Sequence, residues 1–384
     1  MSTAAPRKGF RWDRLTVATV AGYCMQICAV SVGVVFSELR EQFGISAVVT
    51  ALHGSMFGFG LLVMGATGVP IVDRLGRRAA ISTAFALVAA GVAVFCLGPA
   101  WPITLLGTAV SGLGGALWVL VAPGLISDHH GPNRAPAFAA VNGVPALAAI
   151  AFSIAIGATL SADAGWRAPY ALLTALVVAA TALAWRSVAL PDPARHSQFT
   201  LRHFADRSVF VPWARIVNVV LAEFTIGIWA VTYLREVGGA SAGAAPLLAV
   251  VFGLMMFAVR MGISSVLRVL GRWTLSVSFA VLGLAAVAMC FAGPLWARVA
   301  ALTVAGIGGA PLYPLIVDRF YDTAGHRLDS VGLGAYSALA SGVGVLVGPL
   351  LVGVTADLVG LRWAVLVITA LAAIGVATLR PTPR

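Results

Sequence analysis

Gly112-Leu113-Gly114-Gly115-Ala116 recurs as Gly306-Ile307-Gly308-Gly309-Ala310, one of four anchors that repeat in the same order at an offset of 194 or 195 residues. The others pair Gly76-Arg77 with Gly271-Arg272, Gly98-Pro99-Ala100-Trp101 with Gly293-Pro294-Leu295-Trp296, and Gly165-Trp166-Arg167 with Gly360-Leu361-Arg362. Four anchors in one register mark a chain made of two parallel copies. Both copies are almost continuously apolar. Hydrophobic residues make up 60% of the 384 and charged ones 10%, whereas a water-soluble domain carries about 25% charged residues. The chain therefore reads as bilayer-embedded. Two parallel membrane halves imply helical bundles that rock about a site between them, which is the architecture of alternating-access transport.

A spanning helix needs roughly 20 mostly apolar residues. Twelve stretches qualify: 16–37, 47–70, 79–97, 102–126, 135–160, 168–189, 211–234, 244–266, 274–292, 298–317, 330–354 and 363–380. The expected fold is an all-α membrane protein, with twelve transmembrane helices in two six-helix, pseudo-symmetric bundles. Residues 1–190 form the first bundle, 191–208 a linker on the inside, and 209–384 the second bundle. The linker, with Pro191, Pro193, Arg195, His196, Arg202, His203 and Arg207, reads as a flexible tether.

Met1 to Arg14 is polar and basic, and the apolar run after it is too long for a signal-peptide core, so no cleaved leader is expected. Basic loops are retained in the cytoplasm. Placing both termini inside puts eighteen Lys and Arg residues on the cytoplasmic side and five outside: Arg40, Arg167, Arg235, Arg298 and Arg362. The net charge of +11 is thus topogenic, and no nucleic-acid motif accompanies it. A cytoplasmic (inner) membrane is the expected location. Cys24, Cys28, Cys96 and Cys290 all fall inside apolar spans and read as small buried side chains. Asp128-His129-His130 reads as a solvated turn, so no metal and no cofactor is expected.

Between the second and third spans the chain reads Val69-Pro70-Ile71-Val72-Asp73-Arg74-Leu75-Gly76-Arg77-Arg78. This resembles the signature loop of the major facilitator superfamily, with Val69 standing where that loop has glycine. The resemblance, with the spans and the repeat, covers essentially the entire chain. It implies that Asp73, Arg74, Gly76, Arg77 and Arg78 form a conformational latch, with Asp73 pairing with Arg77 or Arg78 or facing a helix N-terminus. The second half has Arg268 where Asp73 aligns, so its latch is weak or absent.

Two motifs of proton-coupled drug antiporters in that superfamily fail here. Thr108 and Ser111 stand where those antiporters carry Arg and Gln ahead of Gly112, and the fifth span offers only Gly143-Val144-Pro145. A Gly-Pro pattern lies instead in the eleventh span, with Gly344, Gly348-Pro349 and Gly353. The first span closes on Phe43-Gly44-Ile45-Ser46, which resembles the monocarboxylate and oxalate branch. In that branch a basic residue of the eighth span pairs with a substrate carboxylate, and Arg260 occupies that span here. Met256 stands where an acidic residue can precede it.

A charge near the bilayer centre costs roughly 2.5 to 3.5 kcal/mol on translocon scales, so each one needs a reason. Glu223 in the seventh span and Arg260 in the eighth are the two such charges. They read as a packing ion pair, or, for Arg260, as a side chain snorkelling to the headgroups, or as handlers of substrate and proton. Tyr23, Gln26, Asn142, Asn218 and Tyr336 are further substrate-binding candidates beside Arg260. His53 joins Glu223 as a proton-coupling candidate because an imidazole binds and carries a proton. The expected function is a secondary active transporter of a small organic solute, an organic anion being favoured by Arg260, coupled to protons and acting as a monomer. Efflux of drugs or lipophilic cations is the alternative within the class, and a non-translocating membrane sensor the alternative outside it. No HExxH, G-x-S-x-G or phosphate-binding loop supports an enzyme.

Overall fold

The computed structural model describes residues 12–130, 134–187, 190, 201–328 and 330–379, and every regular element among them is helical. The first half comprises α1 (Arg14–Val30), α2 (Phe36–Phe43), α3 (Ala47–Leu75), α4 (Arg77–Leu97), α5 (Trp101–His130), α6 (Arg134–Ser161) and α7 (Arg167–Ser187). The second comprises α8 (Arg207–Glu236), α9 (Ala244–Met261), α10 (Ile263–Leu270), α11 (Thr274–Phe291), α12 (Leu295–Gly309), α13 (Leu312–Ala324), α14 (Ser330–Val359), α15 (Leu361–Ala364) and α16 (Leu366–Thr378). Eleven helical stretches among the described residues are long and apolar enough to cross a membrane, and α7 adds the shorter apolar run Arg167–Ala180. A 3-10 turn over Leu201–Ala205 leads into α8, whose start at Arg207 is capped by Asp206 accepting from the Ser208 amide at 2.8 Å. Residues 191–200 of the expected tether lie outside the described residues.

Four of the twelve expected spans are broken, each for a local reason. The first divides at Ser31, whose hydroxyl donates back to the Ile27 carbonyl at 2.7 Å, a bond that competes with helical pairing. The Ser31 carbonyl accepts from the Tyr170 hydroxyl at 3.0 Å and from the Val34 amide at 3.4 Å. The following 3-10 turn, Val32–Val35, lies against α8, where a side chain at Gly33 would run into the Ile228 backbone. The eighth span stops at Gly262 and continues as α10, none of whose residues is buried. The tenth is interrupted at Ala310-Pro311, since proline lacks the amide that would continue the ladder. The twelfth begins as the single turn α15.

Two anchors of the sequence repeat have a shared physical cause. A Cβ at Gly112 would lie 2.7 Å from the Met56 carbonyl of α3, and one at Gly306 2.7 Å from the Phe252 carbonyl of α9. Gly114 meets the α4 backbone in the same way, and Gly308 meets α11. In both halves the fourth span thus presses on the second with one glycine and on the third with the other, the close approach that small residues permit between membrane helices. Gly165 and Gly360 both turn the chain with φ of 76° and 86°, a region closed to most side chains. The arginines that follow make matching bonds. Arg167 Nε donates to the Cys96 carbonyl at 2.8 Å, and Arg362 Nε to the Cys290 carbonyl at 2.6 Å. Each places a cation at the carbonyl end of its half's third span, where the helix dipole is negative.

The halves meet through α3 against α14 and α6 against α9. Small residues make these crossings close. A Cβ at Gly353 would sit 2.9 Å from the Ala47 carbonyl, one at Gly58 2.8 Å from the Gly342 carbonyl, and one at Gly157 2.7 Å from the Gly243 carbonyl. These close crossings run from the face that carries Arg40, Arg167, Arg235, Arg298 and Arg362, hereafter the far face, to the middle of α3 at Gly58. Toward the opposite, basic face such close approaches give way to looser ones: a Cβ at Gly65 of α3 would meet nothing within 4 Å, and one at Gly143 of α6 only Phe257 of α9 at 3.8 Å. The charges follow the same division. At the far face Arg40 pairs with Glu236, Arg235 pairs with Glu38 and, at 2.6 Å, with Glu41, and Asp357 accepts from the amides of Ala47 and Val48 at 2.8 and 2.9 Å. Among the described residues no ion pair joins the halves at the basic face.

Candidate functional site

Glu223 lies midway along α8 and Arg260 in the last turn of α9, where Gly262 ends the helix. They are paired, with Arg260 Nη2 donating to Glu223 Oε1 at 2.6 Å. A second bond fixes the guanidinium, because Arg260 Nε donates to the Ala310 carbonyl at 3.1 Å. That carbonyl is open to it for a covalent reason. Its helical donor would be the amide four residues on, and position 314 is proline. Ala310-Pro311-Leu312-Tyr313-Pro314 therefore creates an acceptor in mid-membrane, and Arg260 fills it.

The pair is only partly satisfied. Glu223 Oε2 is buried and has no hydrogen-bond partner among the described residues, which is costly in a low-dielectric interior. The Arg260 side chain is 37% exposed against 19% for Glu223, so the cation is the more accessible partner of the pair. Tyr313 on α13 is near enough to interact electrostatically with both charges. Its hydroxyl lies 3.4 Å from Ser341 Oγ on α14. The seventh, eighth, tenth and eleventh spans thus converge on one charged cluster within the second half.

The remaining candidates are dispersed. In the first half, Tyr23 of α1 sits edge-on to Trp118 of α5 at 5.6 Å. Gln26, one turn on, is buried beside Gly115 with its Nε2 unpaired among the described residues. Asn142 falls on α6, but its side chain lies outside the described residues. Asn218 Nδ2 donates to the Leu371 carbonyl of α16 at 3.1 Å, a packing contact within the second half. Tyr336 is buried against Phe204 at 4.7 Å, and its carbonyl accepts from Trp213 Nε1 at 3.0 Å. It thus belongs to the aromatic cluster that seats the end of the linker. His53 is engaged at both nitrogens, by the Val49 carbonyl at 3.0 Å and Thr104 Oγ1 at 2.9 Å, and ties α3 to α5.

The signature loop takes a form the sequence does not foretell. Gly76, with φ of 76°, turns the chain so that Arg77 starts α4 facing α5, where its Nη2 meets Asp128 Oδ2 at 2.5 Å. Asp73, Arg74 and Arg78 are exposed, and Asp73 makes no ion pair among the described residues. Five side chains escape the sequence reading. Tyr313 and Ser341 look like ordinary span residues, although the proline pair at 311 and 314 signals the exposed carbonyl beside them. The far-face carboxylates Glu38, Glu41 and Glu236 are ordinary loop charges until the halves are docked.

The family comparison fits this geometry. The Major Facilitator Superfamily profile matches residues 17–338. The chain belongs to the major facilitator superfamily. Solved structures similar to this facilitator include a bacterial homologue of the human lysosomal transporter Spinster, in an inward-facing, unoccupied conformation, with a TM-score of 0.76, 16% identity and 95% of each chain covered. The same homologue in an inward-facing, occupied conformation gives a TM-score of 0.76 at 15% identity, covering 94% of this chain and 95% of that one. The nucleoside transporter NupG gives a TM-score of 0.78 at 11% identity, covering 95% of this chain and 100% of that one. At these identities the likeness is one of fold. No curated protein matches the facilitator in sequence.

Proposed function

We propose that this facilitator is a secondary active transporter that moves a small organic anion across the cytoplasmic membrane by alternating access, coupled to protons. The observation that carries the reading is the Arg260–Glu223 pair, an accessible guanidinium bound to a more buried carboxylate that keeps one unsatisfied oxygen. A substrate carboxylate reaching Arg260 would compete with Glu223 for the same N–H groups, since bidentate binding of a carboxylate is what arginine does best. Displaced from its cation, Glu223 changes its hold on a proton, and this exchange couples the two fluxes. Tyr23 and Gln26 face the substrate from the first half. His53, held at both nitrogens, takes a packing role in this scheme.

By the distribution of Lys and Arg the basic face is cytoplasmic and both termini lie inside. The halves then close toward the outside and part toward the cytoplasm. Residues 1–190 and 209–384 act as two rigid bodies joined by 191–208, in a monomer. Efflux of a lipophilic cation would have to draw on Glu223, whose Oε1 is engaged by Arg260. A sensor would share the cavity but pass no solute.

The test is a screen of mono- and dicarboxylates and of organic cations in proteoliposomes, with and without an imposed pH gradient. Gradient-dependent accumulation of at least one anion is expected, with Glu223→Gln abolishing accumulation while sparing binding. Accumulation by Glu223→Gln equal to that of the parent would remove Glu223 from the coupling, and a panel in which only cations move would overturn the anion reading.

A further inference from the structure

We propose that Asp13, His129 and His130 form a binding site for a divalent transition ion of the zinc class, which clamps the start of α1 to the end of α5 at the basic face. The donors already converge. His129 Nε2 lies 2.7 Å from Asp13 Oδ2, His130 Nε2 lies 4.0 Å from the same oxygen, and all three ligand atoms are within 4.8 Å of one another. Zinc bound tetrahedrally at about 2.0–2.2 Å holds its donors about 3.3 Å apart. The two histidines reach that spacing by shifts on the order of 1 Å.

The carboxylate is held in place before any ion arrives. Asp13 is the N-cap of α1, and its Oδ1 accepts from the Thr16 amide at 2.8 Å and from Thr16 Oγ1 at 2.9 Å, which leaves Oδ2 for the histidines. His129 and His130 are consecutive residues of a helix end and leave its axis about 100° apart. Both reach Asp13 because it stands between them, with the rings edge to face at 4.9 Å. Asp128, the third member of the sequence triplet, is withdrawn from the cluster by its pair with Arg77. The trio is therefore visible only once α1 is packed beside α5, 116 residues away.

Two imidazoles and one carboxylate select zinc, cobalt or nickel over magnesium and calcium, whose sites are built from oxygen. Three protein donors leave a fourth position for water or for the Thr16 hydroxyl, which lies 2.7 Å from His130 Nε2. The consequence is mechanical. The helix so clamped carries Tyr23, which packs on Trp118 of α5, and Gln26, which lies beside Gly115 of α5, so a bound ion stiffens the contact between these two helices of the first half.

The experiment uses the tag-free full-length protein in detergent, titrated with zinc by calorimetry and with cobalt by visible absorption. One equivalent is expected in the parent, with the intense d–d bands of tetrahedral cobalt, and none in the His129→Ala/His130→Ala double variant. His129→Ala alone should weaken binding more than the roughly 10–100-fold lost with a merely orienting partner. Zinc should raise the Tm of the parent and leave that of the double variant unchanged. Equal stoichiometry and affinity in parent and double variant, or no binding by the parent, overturns the site. A bound ion that does not move the Tm of the parent overturns the clamp.

Discussion

Arg235→Ala should release the far face. Arg235 makes two of the ion pairs that join the halves there, to Glu38 with both side chains about four-fifths buried and to Glu41, whose side chain is 70% exposed. The exposed pair contributes little, within the roughly 0–1 kcal/mol of surface salt bridges. The Glu38 pair contributes more, because removing its partner leaves a shielded carboxylate without compensation. Together the loss is about 1–2 kcal/mol, which changes a two-state ratio by roughly 5–30-fold. The remaining contacts, Arg40 with Glu236 and Asp357 with the start of α3, should keep the closed state populated but no longer dominant. Electron–electron distance measurements report this directly, with spin labels at the exposed far-face positions Leu97 and Phe291 and, separately, at the basic-face positions Leu75 and Val269. The far-face distribution should gain a longer component and the basic-face distribution a shorter one. Charge exchange by Arg235→Glu with Glu38→Arg should restore much of the original distribution. If Arg235→Ala leaves both distributions unchanged, these ion pairs do not set the equilibrium, and the small-residue crossings hold the far face by themselves.

Those crossings give a complementary expectation. Gly157→Val places a branched side chain where the Gly243 carbonyl lies 2.7 Å from the Cβ position; it should hold the far face apart and stop transport, while the protein still inserts and elutes as a single species in size-exclusion chromatography. Arg260→Lys keeps the charge but loses the fork that spans Glu223 and the Ala310 carbonyl, so affinity for a carboxylate substrate should fall about 10-fold or more, read by equilibrium binding. Unchanged affinity would remove Arg260 from the substrate site. Asp128→Ala removes the carboxylate paired with Arg77, whose side chain is only 8% exposed, and should lower the Tm. Asp73→Asn alters an exposed residue without an ion pair among the described residues; it should leave stability within about 0.5 kcal/mol and shift the basic-face distances toward the open state. Distances identical to the parent's would make Asp73 a topogenic charge only.

The sequence by itself determined the class, the number of spans and the two-fold repeat. Hydrophobic run length is set by bilayer thickness and is local. The glycine anchors are legible because a backbone that approaches another closely leaves no room for a side chain, whichever helix it meets, so Gly112, Gly114, Gly306 and Gly308 declare contacts without naming the partners. Glu223 and Arg260 announce themselves for a similar reason, since an isolated charge in an apolar span is too costly to keep without a partner. What the tertiary structure decided is which groups meet. Arg77 turned to Asp128 instead of Asp73 because Gly76 redirects the chain between them. Arg260 reached the Ala310 carbonyl because Pro314 withholds an amide on a helix 50 residues away. Asp13 came between two histidines, and Glu38 came opposite Arg235, only when helices distant in sequence were laid side by side. Such contacts depend on how the helices are rotated about their axes and how the halves are docked, and in a chain this uniformly apolar no hydrophobic stripe in the sequence fixes either one.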